Sequence, residues 1–386
     1  MAMGEIRYLC AATASFGLEA LVRDELAAMG IAVASTEDRH VLFEGNAREI
    51  ARSNLCLRTA DRVLLRVADF PAPDFDALYQ GVRSVRWREM LGSSPSVTVN
   101  ARSAKSRLSA VPSLQAVTKK AIVDALLGRA AGSLPGGAAR LEETGPRCDV
   151  EVALHADRAT VSLDTTGPGL HKRGYRRAAG AAPLRETLAA ALVILSRWEP
   201  PRPFVDPLCG SGTIPIEAAL LAANAAPGIG RSFAAESWPL LPGTAWAEER
   251  DRAREAARRG LQVRVLGSDR DPRMAALAEQ NARAAGVAGI AHFRAAPLSA
   301  FRPEGDYGCI VCNPPYGERL GDAGRAEALY REMGELYRRL PTWSFFALSA
   351  REDFPRYFGA RASRNRKLYN GNIRCWYHQY FGPLPR

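Results

Sequence analysis

The order of apolar and polar positions predicts short strands and helices from the first residues onward. Tyr8–Thr13 is a largely apolar run that predicts a strand, and Leu18–Met29 has its apolar residues at helical spacing, ending at Gly30. Ile31–Val33 and His40–Phe43 predict strands, and Asn46–Leu57 predicts a helix. This alternation predicts a small α+β module of the ferredoxin-like kind over 1–62. A second module follows over 63–165. It has a strand at Arg62–Val67, a helix at Asp74–Val82 and an alternating strand at Ser96–Asn100. A helix at Leu114–Leu127 follows, with Ser113 as its cap, and then a hairpin of Asp149–Leu154 and Ala159–Leu163. Between them, Gly128–Thr144 is rich in Gly, Ala and Pro and predicts a loop.

The pattern changes after a linker at 166–181. Ala182–Leu195 predicts a helix and Pro203–Cys209 a buried strand. Thr213 opens an apolar helix, with Pro215 tolerated in its first turn. An insertion with aromatic and basic residues (Arg231, Phe233, Trp238) runs from Ala225 to about Gln262. Strands at Val263–Ser268, Ile290–Arg294, Tyr307–Cys312 and Ser344–Ser349 then alternate with helices at Pro272–Ala285 and Ala326–Leu340. Asn370-Gly371 between apolar runs predicts a closing hairpin. The whole of 182–386 is therefore an α/β domain with a mostly parallel sheet.

Two stretches of this domain carry chemistry. Asp206-Pro-Leu208-Cys-Gly210-Ser211-Gly212-Thr213 is a strand, a glycine turn and a helix start, the arrangement of a nucleotide or nucleoside site. It lacks a Gly-Lys-Ser/Thr ending, which disfavours a phosphate-cradling loop. Asp206 opposes a pyrophosphate and suits an ammonium group. The second stretch, Asn313-Pro314-Pro315-Tyr316, ends the strand Tyr307–Cys312. Its prolines fix the backbone and remove donors, so the Asn313 side-chain oxygen and the Pro314 carbonyl can both accept from one amino group. Tyr316 offers a face on which a base can stack. A plain strand–turn–helix and a plain Pro-Pro turn are the structural alternatives.

Charge adds a partner. The formal net charge is +11, and only five of the 52 basic residues are lysine. A pI near 9.6 favours a polyanion. Arg102, Lys105, Arg107, Lys119 and Lys120 place a basic loop beside a helix's polar face and are candidate phosphate contacts. His171, Lys172, Arg173 and Tyr175 lie in a basic, glycine-hinged linker suited to a nucleic-acid backbone. No apolar run is long enough to span a membrane, and the first residues lack the features of a signal peptide. The seven scattered cysteines indicate reduced thiols in a cytoplasm. Cys309 and Cys312 have metal spacing but no second pair, and the five histidines show no ligand spacing, so no metal is expected.

The paired stretches resemble motifs I and IV of class I S-adenosylmethionine-dependent amino-methyltransferases, which act on adenine N6 or guanine N2. Val99–Leu108 with its following helix resembles a THUMP domain, an RNA-binding module. Asp164–Arg177, Gly317-Glu318-Arg319-Leu320 and Leu368–Asn372 resemble THUMP-containing rRNA guanine-N2 methyltransferases. The resemblance covers nearly the whole chain. It implies a Rossmann-like, seven-stranded sheet with an antiparallel C-terminal hairpin. It also implies S-adenosylmethionine held by Asp206, Leu208, Gly210, Ser211, Gly212, Thr213 and Asn313. Asp269, or failing it Asp271, would take the ribose, and catalysis would fall to Asn313, Pro314, Pro315 and Tyr316. Phe293–Leu298 departs from the family in having no acidic residue for the adenine amino group. The implied substrate is 23S rRNA. tRNA guanine-N2 methylation, adenine-N6 methylation and a non-catalytic RNA-binding assembly factor are the alternatives.

Overall fold

The computed structural model describes residues 6–128, 141–176, 184–302, 304–316 and 323–385. Gly317–Leu320, Arg177, Ala182 and most of the expected loop at Gly128–Thr144 lie outside them. The chain divides into two units. One comprises Met1–Thr13, Val22–Leu170 and Ser232–Arg252, and the other Ala14–Leu21, His171–Arg231 and Ala253–Arg386.

The first half contains β1 (Tyr8–Ala14), α1 (Glu19–Ala28), β2 (Val33–Glu37), β3 (His40–Gly45), α2 (Ala47–Cys56) and β4 (Ala60–Pro71). It continues with α3 (Phe75–Arg83), α4 (Trp87–Leu91), β5 (Ser96–Ala104), α5 (Val111–Leu126), β6 (Arg147–His155) and β7 (Arg158–Asp164). The two modules share one continuous sheet of order β2-β3-β1-β4-β7-β6-β5. Helix α2 starts with a reciprocal capping box, in which the Asn46 side chain accepts from Glu49 N–H and Glu49 accepts from Asn46 N–H.

Several expectations are corrected. Strand β2 starts at Val33 rather than Ile31, because Ile31 N–H closes the end of α1 on Leu26. The alternation of β5 runs on to Ala104, so Arg102 is a strand residue and not a loop residue. Helix α5 begins before Ser113: Ala110 occupies the cap position without a side-chain bond, and Pro112 sits in the first turn. In the insertion, Phe233 and Trp238 are buried, and Phe233 stacks on Trp246 within the first unit.

The second half contains α6 (Glu186–Leu195), β8 (Phe204–Asp206), α7 (Thr213–Ala222), α8 (Gly243–Glu255), β9 (Val265–Asp269), α9 (Pro272–Ala284) and β10 (Ala291–Ala295). It ends with β11 (Cys309–Cys312), α10 (Ala323–Arg339), β12 (Ser344–Ser349), α11 (Phe354–Phe358), β13 (Arg364–Asn370) and β14 (Ile373–Tyr380). Strand β8 stops at Asp206 because Pro207 begins the turn, three residues short of the expected Cys209. The sheet order is β10-β9-β8-β11-β12-β14-β13, parallel except for β14, which is antiparallel to both its neighbours. The closing hairpin exists, but its two loop residues are Gly371 and Asn372, one position later than expected. Gly371 has φ +62°, so the first loop position is the one that needs glycine. Tyr330, Phe345, Phe354, Phe358 and Tyr380 fill the core on one side of this sheet.

Candidate active site

Strand order places the site. The chain leaves β8 toward β9 and β10 on one side and returns to β11 and β12 on the other, so a crevice opens beyond the carboxyl ends of β8 and β11. The parallel pairings Cys309↔Phe204 and Ile310↔Val205 set Asp206 level with Val311, just short of Asn313. Two stretches a hundred residues apart in sequence are thereby neighbours.

Asp206 is 1 % exposed, and its Oδ1 accepts from Leu208 N–H at 3.0 Å. Burial pushes its carboxyl well above the usual range; the Leu208 N–H opposes this, and the charge of Asp269 adds to it. Among the described residues no cation pairs with Asp206. Asp269, at the end of β9, accepts from Gly210 N–H at 3.1 Å and from Asp271 N–H at 2.9 Å. It thus ties the second strand to the glycine turn. Asp271 caps α9 through Arg273 N–H, and its carboxylate is paired with Arg273 at 2.8 Å. That engagement leaves Asp269 the better-placed of the two acids.

Gly212 has φ +85°, and a Cβ there would lie 2.8 Å from Ala278 Cβ and 2.9 Å from the Phe293 ring. The same ring covers Gly267, so one aromatic from β10 props the turn from beneath. Above Gly210 a Cβ would meet only Met274 at 3.9 Å, which leaves its backbone open to a ligand. Ser211 is fixed through its carbonyl by the buried Asn281 amide at 3.0 Å. Neither Phe293 nor Asn281 stood out in the sequence. After β10, Ala296 N–H bonds the Asp269 carbonyl and a short turn follows at Leu298–Ala300, with no acidic side chain.

At β11, Cys309 and Cys312 are both buried in the strand. Beyond them the Tyr316 hydroxyl donates to Asn313 Oδ1, and Tyr330 donates to the Pro315 carbonyl at 3.0 Å. Burial raises the Tyr316 phenol well above its ordinary value, so it stays a donor. Tyr316 therefore orients the Asn313 carboxamide, a role beyond the expected stacking. A carboxamide oxygen has two acceptor positions, so one remains for another donor. Pro315's carbonyl is used internally, and that of Pro314 is the neighbouring acceptor.

The linker differs from expectation. Tyr175 is 4 % exposed and donates to Glu217 Oε1 at 3.1 Å, and the Arg173 guanidinium, also buried, pairs with the same carboxylate at 3.5 Å. Arg176 donates to Thr213 Oγ1 at 2.8 Å and pairs with Glu186 at 3.3 Å. Arg173 and Tyr175 thus bind α7 rather than a nucleic-acid backbone. His171 is half-buried and Lys172 is exposed. A lone Glu217 in the apolar run Ile214–Leu221 was the available signal, since a buried acid needs a cation. Of the other basic candidates, Arg107 pairs with Asp157, Lys119 with Glu143, and Lys120 with Asp124 while lying over Tyr79. Arg102 approaches His40, and Lys105 is exposed with φ +54°.

Among the described residues no cluster of His, Cys, Asp and Glu is arranged to hold a metal, and no helix is long and apolar enough to cross a membrane.

The sheet order, the glycine turn between two acids and the Asn-Pro-Pro-Tyr turn define a class I methyltransferase. Comparison with known proteins is more specific. The RMKL-like methyltransferase domain matches residues 173–379, the RlmL ferredoxin-like domain 10–64 and the THUMP domain 72–164. The chain is 43% identical over 380 residues to "Putative RNA methyltransferase YpsC" of Bacillus subtilis, covering 98% of this chain and 97% of that one. It is similar to a Listeria monocytogenes structure named a "predicted N6-adenine-specific DNA methylase", at 44% identity and TM-score 0.90, covering 98% of this chain and 97% of that one. It is also similar to the structure named "SMU.472, a putative methyltransferase complexed with SAH", at 41% identity and TM-score 0.91, covering both chains fully (100% and 100%). The chain belongs to the RMKL-like methyltransferase family.

Proposed function

We propose that this protein transfers a methyl group from S-adenosylmethionine to the exocyclic N2 amine of a guanine in RNA, with 23S rRNA in the cytoplasm as its substrate. The observation that carries the proposal is the adjacency of the buried Asp206 and the Asn313–Tyr316 turn at one sheet edge. The site fits the cofactor. Among the described residues Asp206 has no cation, which suits the methionyl ammonium; the approach to Gly210 is open, and Asp269, bonded to Gly210 N–H at the end of β9, is the acceptor assigned to the ribose hydroxyls. Leu208, Ser211, Gly212 and Thr213 complete that wall. Bound there, S-adenosylmethionine supplies an electrophilic methyl on a sulfonium that leaves as a thioether.

The chain's own part is positioning. Asn313 Oδ1 and the Pro314 carbonyl accept the two protons of the target amine, which turns its lone pair out of ring conjugation. Pro315 stiffens this turn, and its carbonyl is anchored by Tyr330. The Tyr316 ring supports a base taken out of its stack, while its hydroxyl holds Asn313 in place. The proton leaves to water after transfer, when the amine is strongly acidic. The THUMP match and YpsC's name support RNA as the substrate.

Adenine N6 is the second reading, since the same two acceptors suit its amine and the Listeria relative's name refers to it. Replacing Asn313 with Ala should abolish turnover and leave SAH affinity within a few-fold, measured by calorimetry beside a methyl-transfer assay. Digestion of the wild-type product should yield N2-methylguanosine; N6-methyladenosine would establish the second reading instead.

A further inference from the structure

The closing hairpin overhangs the site. β12 ends at Ser349, which pairs with Trp376, so Ile373–Cys375 and the facing end of β13 project beyond the sheet's carboxyl edge. Cross-strand pairs Leu368↔Cys375 and Asn370↔Ile373 share one face of this ribbon. That face meets the site: Cys375 Sγ lies 3.7 Å from the Tyr316 hydroxyl, and Asn370 is also within reach of it.

The opposite face carries Lys367↔Trp376 and Tyr369↔Arg374. Lys367 lies over the Tyr369 ring at 5.7 Å and Arg374 over the Trp376 ring at 4.8 Å. Lys367 and Arg374 are exposed, and the two rings are half-exposed. Phe16, grouped with this unit and 46 % exposed, meets Tyr369 edge-on at 6.2 Å. Exposed rings interleaved with cations have no use in a packed core. They match the stacking platform and charge that single-stranded nucleic acid requires. An acidic or apolar protein surface would satisfy only the cations or only the rings.

We infer that Lys367, Tyr369, Arg374, Trp376 and Phe16 form a contact site for single-stranded RNA flanking the target base. The target enters on the Tyr316 side, and the adjoining nucleotides cross the hairpin tip and stack on its outer face. This rests on the RNA reading above and adds a site in the catalytic unit.

The test is fluorescence anisotropy with a labelled, mixed-sequence single-stranded RNA, on the full chain and on Tyr369→Ala, Tyr369→Phe and the double variant K367A/R374A. Tyr369→Ala should weaken binding about 5- to 150-fold, and Tyr369→Phe should retain it, because the ring does the stacking. The double variant should flatten the dependence of log affinity on log salt by roughly one to two, for two lost phosphate contacts. SAH affinity, measured in parallel, should not change in any variant, which reports an intact fold and cofactor site. Wild-type affinity and salt slope in both Tyr369→Ala and the double variant would overturn the inference while leaving the RNA reading intact. No RNA binding by the wild type would overturn both.

Discussion

At the residue scale, the site depends on a carboxylate placed where it is costly. Asp206 is buried beside Asp269 with one backbone donor, so its ionised form is disfavoured until a cation arrives. Asp206→Asn should therefore weaken SAH binding roughly 10- to 150-fold, the range for a hydrogen bond to a charged group. Because the folded pKa is raised, wild-type affinity should climb as pH rises through it, and the Asn variant's should not. Calorimetry across pH checks both, and parallel profiles would place the ammonium elsewhere. In the first unit, burial raises Asp164 to about 6 despite the Arg62 guanidinium beside it. The folded state then holds that proton more tightly than the unfolded chain, whose Asp titrates near 4. Stability from this group is full below about pH 4 and is lost as pH rises through about 6, by roughly 3 kcal/mol. Thermal unfolding of Asp164→Asn across that window should lack this decline, whereas curves parallel to wild type would refute the assignment.

At the element scale, the linker is a clasp on α7. It brings Arg173, Tyr175 and Arg176 onto Glu217, Glu186 and Thr213, next to the glycine turn. Glu217→Gln removes one side of a buried ion pair and should destabilise this unit by about 3–5 kcal/mol. Tyr175→Phe loses one hydrogen bond and should cost about 1 kcal/mol. Denaturant midpoints followed in this unit distinguish the two, and equal small losses would mean the clasp contributes little. The clasp was hidden in the sequence because Glu217 lies some forty residues from Arg173 and Tyr175, on another element. Read locally, Arg173 and Tyr175 could only look like solvent-facing groups. The site turns were legible for the opposite reason: Pro314 and Pro315 fix their own φ wherever they stand, and glycines such as Gly212 mark where a turn needs a positive φ. Arg102 was misplaced because strand alternation does not announce its end, and the hairpin loop slipped by one because either Asn370-Gly371 or Gly371-Asn372 fits a two-residue turn.

At the scale of the whole molecule, most strands and the longer helices could be read from hydrophobic period, whereas α4, α8 and α11 could not, and the shape of the second sheet came from the family resemblance. Long-range assembly could not. Nothing local says that β1 and β4 join the first two modules into one sheet. Likewise, Ser232–Arg252, inserted after α7, groups with the first unit through the Trp238 bond to the Arg147 carbonyl and the Arg52–Glu249 ion pair. RNA capture and chemistry are thus carried by segments interleaved along the chain. Labelled S-adenosylmethionine should be incubated with the protein and undermodified 23S rRNA, 16S rRNA, bulk tRNA and DNA, and the nucleosides then identified. N2-methylguanosine in 23S rRNA is the predicted result. Label confined to tRNA, or recovered as N6-methyladenine, would contradict it.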